Sequence, residues 1–166
     1  MTGFPAFRAV AEHGLLVEFG DRIDAAAHGA VLALDRALAV RPFAGFVEAV
    51  PAYVNLLVRF DPLITDHAAV ELALRGLLGA GAAVPVGRVH GVDVVYDGPD
   101  LEAVAQACGL TVDGVIAAHL AGEYQVALYG FAPGYAYLSG VPQVLRLPRK
   151  AAAVRGVAAG SVIIAA

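Results

Sequence analysis

An α+β fold is predicted by three features of this chain of 166 residues. Two segments, residues 23–40 and 68–78, repeat apolar side chains at the spacing of an amphipathic helix. Around them lie short runs of Leu, Val and Phe bounded by Gly, Pro or Asp, the pattern of strands. From about Arg88 a second series of short helix and strand signals begins, with no low-complexity linker before it and no internal repeat.

Leu15-Leu-Val-Glu-Phe19 reads as a strand ended by Gly20-Asp21. The helix that follows carries Ile23, Ala27, Val31, Leu34 and Leu38 on one face, with Asp24 as its N-cap and Arg41-Pro42 as its stop. Phe46–Val50 and Val54–Phe60 are the next two strands, bent at Pro51-Ala52. Asp66 caps a second helix over Ala68–Leu78, where Val70, Leu74, Leu77 and Leu78 form the apolar side. Gly79-Ala-Gly81 ends it, and Val84–Val89 is strand-like. The order is βαββαβ, the split βαβ arrangement of ferredoxin-like folds. That arrangement hosts many unrelated activities, so it fixes no function.

In the second unit Val92–Tyr96 is expected to be a strand, and Asp97-Gly-Pro-Asp100 a turn leading into a helix over Leu101–Cys108. Thr111 caps another helix to Leu120. Strands are expected at Tyr124–Tyr129, Val144–Leu147 and Ser161–Ala166. The last is apolar with nothing after it, so the unit reads as cut short, with an uncovered edge that favours self-association.

Composition narrows the classes of function. The chain is 59% hydrophobic and 16% charged, against an ordinary charged share of roughly 25%. A net charge of −4 with scattered cations argues against nucleic-acid binding, which needs a basic face. The longest uncharged run, Tyr124–Leu145, contains Pro133, Pro142, Gly130, Gly134 and Gly140 and does not read as a membrane helix. No basic region followed by an apolar core opens the chain, so a soluble cytoplasmic protein is expected, its surplus apolar surface suited to a protein partner. The single cysteine, Cys108, sits at the end of an apolar helix and reads as a small buried hydrophobe.

Five dispersed histidines and one cysteine form no metal-ligand pattern, and no glycine-rich phosphate loop is present. His119, Glu123 and Tyr124 crowd one short segment. There His119 is either a general acid/base or phosphate ligand, or a histidine stabilised by the helix C-terminus. In Gly130-Phe-Ala-Pro-Gly-Tyr135, Pro133-Gly134 reads as a tight turn flanked by Phe131 and Tyr135. Such a turn either lines a ligand site or packs as a plug. Arg146, Arg149, Lys150 and Arg155 form a basic cluster, suited to a carboxylate or phosphate or simply solvated.

Gly122-Glu-Tyr124, Gly130-Phe-Ala-Pro-Gly-Tyr135 with Tyr137-Leu138, Pro148-Arg-Lys150 and Gly160-Ser-Val162 together resemble the allophanate hydrolase subunit 1 family. This family takes in KipI, the B component of bacterial 5-oxoprolinase and the carboxyltransferase subdomains C and D. Leu15–Gly20, Val47–Tyr53, Leu56–Val58 and Phe60–Pro62 resemble its first domain. The resemblance implies a ferredoxin-like domain over residues 6–83 and an incomplete cyclophilin-like β-barrel over 84–166. It implies a non-autonomous subunit of an ATP-dependent 5-oxoprolinase or allophanate-hydrolase-type amidohydrolase. The implied partners are a homologous barrel subunit (subunit 2 or C), a third subunit and a small-molecule substrate, with ATP used by the complex. One branch instead implies a non-catalytic module that inhibits a sensor histidine kinase. On this footing Phe131, Pro133, Gly134 and Tyr135 are the expected ligand-facing loop, His119 the candidate acid/base, and Arg149 and Lys150 the candidate anion contacts.

The chain also departs from the family pattern. A second Pro-Arg pair is replaced by Ala153-Val154 with Arg155 shifted by one, and the last motif reads Val157-Ala-Ala-Gly-Ser-Val-Ile-Ile-Ala-Ala166.

Overall fold

The computed structural model describes residues 3–79 and 87–164. They divide into two compact units, one within Met1–Arg88 and Ala127–Tyr137, the other within Val89–Val126 and Leu138–Ala166.

The first unit is a four-stranded antiparallel sheet under two helices. Its elements run β1 (Ala6–Val10), β2 (Gly14–Glu18), α1 (Ala25–Val40), β3 (Phe46–Ala52), β4 (Asn55–Phe60) and α2 (His67–Leu77), in sheet order β1-β2-β4-β3. Strands β2 and β3 both pair antiparallel with β4, so they run parallel to one another and are split by it. This is the split βαβ read from the sequence. The register sets Leu15 opposite Val58 and Val17 opposite Leu56, which turns these four side chains to one face. There they meet Val31, Leu34 and Leu38 of α1, Val70 and Leu74 of α2, and Phe60. Burying each such side chain contributes about 1.5–3 kcal/mol. The opposite face carries the ion pairs Arg8–Glu18 and Arg59–Glu48.

Local chemistry starts and stops the helices where the sequence places these signals. Asp24 accepts a hydrogen bond from the Ala27 amide at 2.9 Å, and Asp66 one from the Ala69 amide at 2.8 Å. Two histidines tie helices to sheet turns: His28 Nδ1 lies 2.7 Å from the Tyr53 carbonyl, and His67 Nε2 lies 3.1 Å from that of Gly14.

Two findings differ from the expected order. Strand β1 was not foreseen; it lies at the sheet edge beside β2, from Ala6 opposite Glu18 to Val10 opposite Gly14. Of the expected strand Val84–Val89, residues 84–86 fall outside the described residues, and 87–89 carry no strand.

In the second unit, α3 (Leu101–Cys108) ends at Gly109 with φ 66°, where the Leu110 amide donates to the Ala105 carbonyl in a Schellman closure. Helix α4 (Val112–Leu120) is capped by Thr111 Oγ1, which accepts from the Gly114 amide at 3.1 Å. The two helices bend by 87° at their junction. No single helix among the described residues is long and apolar enough to cross a membrane. Ala105, Val115 and Leu145 form the small core, with Val141 and Ile164 packed against it.

Strands β5 (Gln125–Tyr129) and β6 (Ala136–Ser139) make a two-stranded sheet. Other strands expected here are not formed among the described residues. Among the described residues Val92–Tyr96 and Ser161–Ile164 find no ladder partner, residues 165–166 of the expected last strand lying outside them, and Val144–Leu147 is displaced by a 3₁₀ turn over Gln143–Leu145 that drives Leu145 into the core. Strand-forming residues without a neighbouring strand gain no inter-strand bonds, so composition alone does not make them a strand.

Candidate functional site

Three places hold the residues singled out by sequence. The first is built around His119. The Thr111 cap fixes the start of α4 and thereby sets His119 in its last turn. The Tyr96 hydroxyl stands 2.6 Å from His119 Nδ1, with the two rings 5.7 Å apart and nearly perpendicular. The Tyr124 ring lies 5.1 Å from the imidazole, and its hydroxyl donates to the His119 carbonyl at 2.9 Å. The imidazole is thus flanked by two phenols, all three side chains half-buried. Its Nε2 has no hydrogen-bond partner among the described residues and is not fully buried.

Backbone geometry makes this packing possible. A Cβ at Gly122 would stand 2.7 Å from the Tyr124 hydroxyl. A Cβ at Gly140, where φ is 102°, would collide with the Glu123 carbonyl oxygen. Burial pushes the Tyr124 phenol above its ordinary value, and the charge of Tyr96 adds to that rise. Glu123, beyond the end of α4, makes no hydrogen bond to His119.

The second place is the β5–β6 hairpin end, which brings Phe131, Pro133, Gly134 and Tyr135 into one turn. The Tyr135 amide donates to the Ala132 carbonyl at 3.0 Å across Pro133 and Gly134, and Gly134 has φ 78°. That is a type II turn, with Pro and Gly at the positions that demand them. Just before it, the Ala132 amide donates to the Gly130 carbonyl at 2.8 Å around Phe131, whose φ is 68°. This is a γ-turn of the rare, strained, positive-φ kind. Phe131, Tyr135 and Tyr137 form a row of edge contacts with centroids 5.5 and 5.2 Å apart, and Phe131 is 90% exposed. Strained non-glycine backbone of this kind concentrates at ligand clamps and active sites.

The third place is the basic segment. Lys150 Nζ is held 2.6 Å from the Asp100 carboxylate, and Arg146 donates to the Val141 carbonyl at 3.1 Å. Arg149 is exposed and has no ion pair among the described residues. No hydrogen bond or ion pair links His119 to Arg149 or Lys150. Tyr96, 23 residues before His119, was missed by sequence reasoning: its strand-like run gives no sign of the histidine it meets.

A triphosphate needs several free donors or an uncluttered helix N-terminus. Among the described residues those positions are acidic: Asp24 and Asp66 cap α1 and α2, and Glu102 and Asp113 lie in the first turns of α3 and α4. With Lys150 already paired, these residues do not fit ATP phosphates. No group of His, Cys, Asp and Glu suited to a metal occurs among the described residues.

The family model described as "Carboxyltransferase domain, subdomain C and D" matches residues 5–166. The chain belongs to this family. The carboxyltransferase-domain resemblance carried by Gly122–Tyr124 and Gly130–Tyr135 is thereby borne out. A Bacillus subtilis (strain 168) protein, named as the B component of 5-oxoprolinase, is 32% identical over 93% of this chain and 70% of its own length. The protein of the same name from Escherichia coli O157:H7 is 38% identical over 70% of this chain and 55% of its own. A crystal structure of TTHA0988 matches 84% of the chain with a TM-score of 0.72 and 37% identity, covering 27% of that longer chain. This carboxyltransferase-family chain therefore spans between 50% and 70% of the length of the curated relatives it matches.

Proposed function

We propose that the chain acts as a non-autonomous subunit of a cytoplasmic, ATP-dependent 5-oxoprolinase-type amidohydrolase. The observation that carries this reading is its similarity to relatives named as the B component of 5-oxoprolinase, across 93% of the chain in the first case. In this reading the partners are a homologous barrel subunit and a third subunit, and the substrate is a small cyclic amide bearing a carboxylate. His119 faces the reacting region, the Phe131–Tyr135 turn contacts ligand or partner, and Arg149 supplies the anion contact. Lys150 contributes by holding Asp100 at the start of α3. The acidic helix starts favour ATP binding by a partner rather than by these residues. The test is co-expression with the partner subunits followed by an assay of ATP-dependent glutamate release from 5-oxoproline. Release that requires this chain supports the reading, and release unaffected by its omission overturns it.

A second reading, a non-catalytic module inhibiting a sensor histidine kinase, is favoured by one observation: the bare Phe131 side chain on its strained turn, a form suited to protein contact. A pull-down on kinase dimerisation domains that is lost with Phe131→Ala and indifferent to His119→Ala would support it.

A further inference from the structure

The contact between Tyr96 and His119 decides which nitrogen of the imidazole carries its proton. We propose that Tyr96 is a positioning residue that holds neutral His119 as the Nε2–H tautomer. The imidazole then presents a hydrogen-bond donor, not a base, to a carbonyl or carboxylate oxygen.

The reasoning starts from the two possible directions of the 2.6 Å contact. Either the phenol O–H donates to Nδ1, or Nδ1–H donates to the phenol oxygen. An imidazole nitrogen, with an ordinary pKa of about 6.5, is a far better acceptor than a neutral phenol oxygen. The phenol, which ionises at about 10, is a good donor. The pair therefore settles as O–H···Nδ1, and the neutral ring keeps its proton on Nε2, since the bond made by one ring nitrogen fixes the state of the other.

The rest of the box supports this arrangement. Tyr124 spends its own hydroxyl proton on the His119 carbonyl, so it does not compete for the ring nitrogens. Its ring, admitted by the missing side chain at Gly122, limits rotation of the imidazole about its own bond. Nε2 is left without a hydrogen-bond partner among the described residues. A ring held at its Nδ1 edge by Tyr96 and packed against the Tyr124 ring, with its second nitrogen unpartnered among the described residues, is a preorganised donor, the kind of group that stabilises an oxygen gaining negative charge. The acid/base role expected for His119 is replaced by that of a donor, because the lone pair a base would use is occupied by Tyr96.

The first test needs no activity and uses the full chain. Long-range ¹H–¹⁵N correlation spectra are recorded at about pH 8.5, roughly two units above the ordinary imidazole value. The His119 signals are identified by their loss in His119→Gln. The Nε2–H pattern is expected in the unsubstituted chain and in Tyr124→Phe, and a mixture of tautomers in Tyr96→Phe. An Nδ1–H pattern in the unsubstituted chain, or the same pattern with and without the Tyr96 hydroxyl, overturns the proposal. Tyr124→Phe separates loss of the specific bond from general loosening of the box.

The second test rests on the 5-oxoprolinase reading and uses the assembled complex. A donor role predicts that His119→Ala lowers kcat by about 10²–10³-fold. His119→Gln, which retains an N–H, recovers activity to within about tenfold of the unsubstituted complex. Equal loss in both variants overturns the donor role. A complex that hydrolyses no 5-oxoproline sinks the functional reading and leaves the tautomer result standing.

Discussion

Gly122 and Tyr124 approach so closely that a methyl group on the glycine would stand 2.7 Å from the tyrosine hydroxyl. The clash is with the far end of a side chain, so it is relieved by swinging the ring away from His119. Gly122→Ala is therefore expected to fold but to lose the Tyr124–His119 carbonyl bond, at about 0.5–1.5 kcal/mol. Removal from its half-buried seat returns the Tyr124 phenol downward toward the ordinary value. A spectrophotometric titration of tyrosinate, compared with Tyr124→Phe, measures that fall. An unchanged titration would contradict the packing described.

Gly140 is less forgiving, because the obstacle is the Glu123 carbonyl oxygen and the backbone is at φ 102°. Neither can be relieved by a side-chain rotation. Gly140→Ala should cost about 2–4 kcal/mol, combining overpacking with backbone strain. Urea denaturation should place it well below Gly79→Ala, where a Cβ meets nothing within 4 Å and only the positive φ of 74° opposes the change.

Phe131 makes the opposite prediction. Its φ of 68° is uncomfortable for phenylalanine and free for glycine. Phe131→Gly is expected to leave stability unchanged or to raise it by up to about 1 kcal/mol, while weakening whatever the loop binds. By contrast Leu74→Ala, in the core of the first unit, should cost about 2–5 kcal/mol. Thermal unfolding of the two variants side by side checks the contrast. A Phe131→Gly protein as damaged as Leu74→Ala would mean the ring is a structural plug.

Burial pushes the Asp35 carboxyl upward from its ordinary 3.8, against a smaller lowering by Arg36. With the folded value above the unfolded one, the native state binds more protons between the two. Stability therefore falls as pH rises through that window. At neutral pH the half-buried carboxylate is a net burden, so Asp35→Asn should raise the denaturation midpoint at pH 7. That gain should vanish below both values, and an advantage that persists in acid would rule out titration as its source.

How much of this was legible depends on whether the cause was local. Asp24, Asp66 and Thr111 were readable as caps because the groups they satisfy lie three residues away. Pro133-Gly134 was readable because the type II turn constrains those two positions alone. Strand β1 was not, since Ala6-Phe-Arg-Ala-Val10 lacks a β-branched run and is held extended by its pairing with β2. Tyr96 with His119 and Asp100 with Lys150 are separated by 23 and 50 residues, and no local rule links them. The expected strand at Val144–Leu147 is not formed; a 3₁₀ turn over Gln143–Leu145 buries Leu145 instead, a choice set by packing against α3 and α4 rather than by the local sequence.

The insertion of β4 between β2 and β3 has a kinetic consequence. Strands β3 and β4 are joined through the two residues Tyr53 and Val54, so their pairing closes a very short loop and can form within microseconds. Pairing of β2 with β4 must enclose all of α1 and β3, from Gly14 opposite Arg59 to Glu18 opposite Asn55. That long closure carries the larger entropic penalty and comes late. The β1–β2 hairpin, closed through the three residues between Val10 and Gly14, can also form early. Two independent ribbons result, and their docking along β2 and β4 sets the rate of folding.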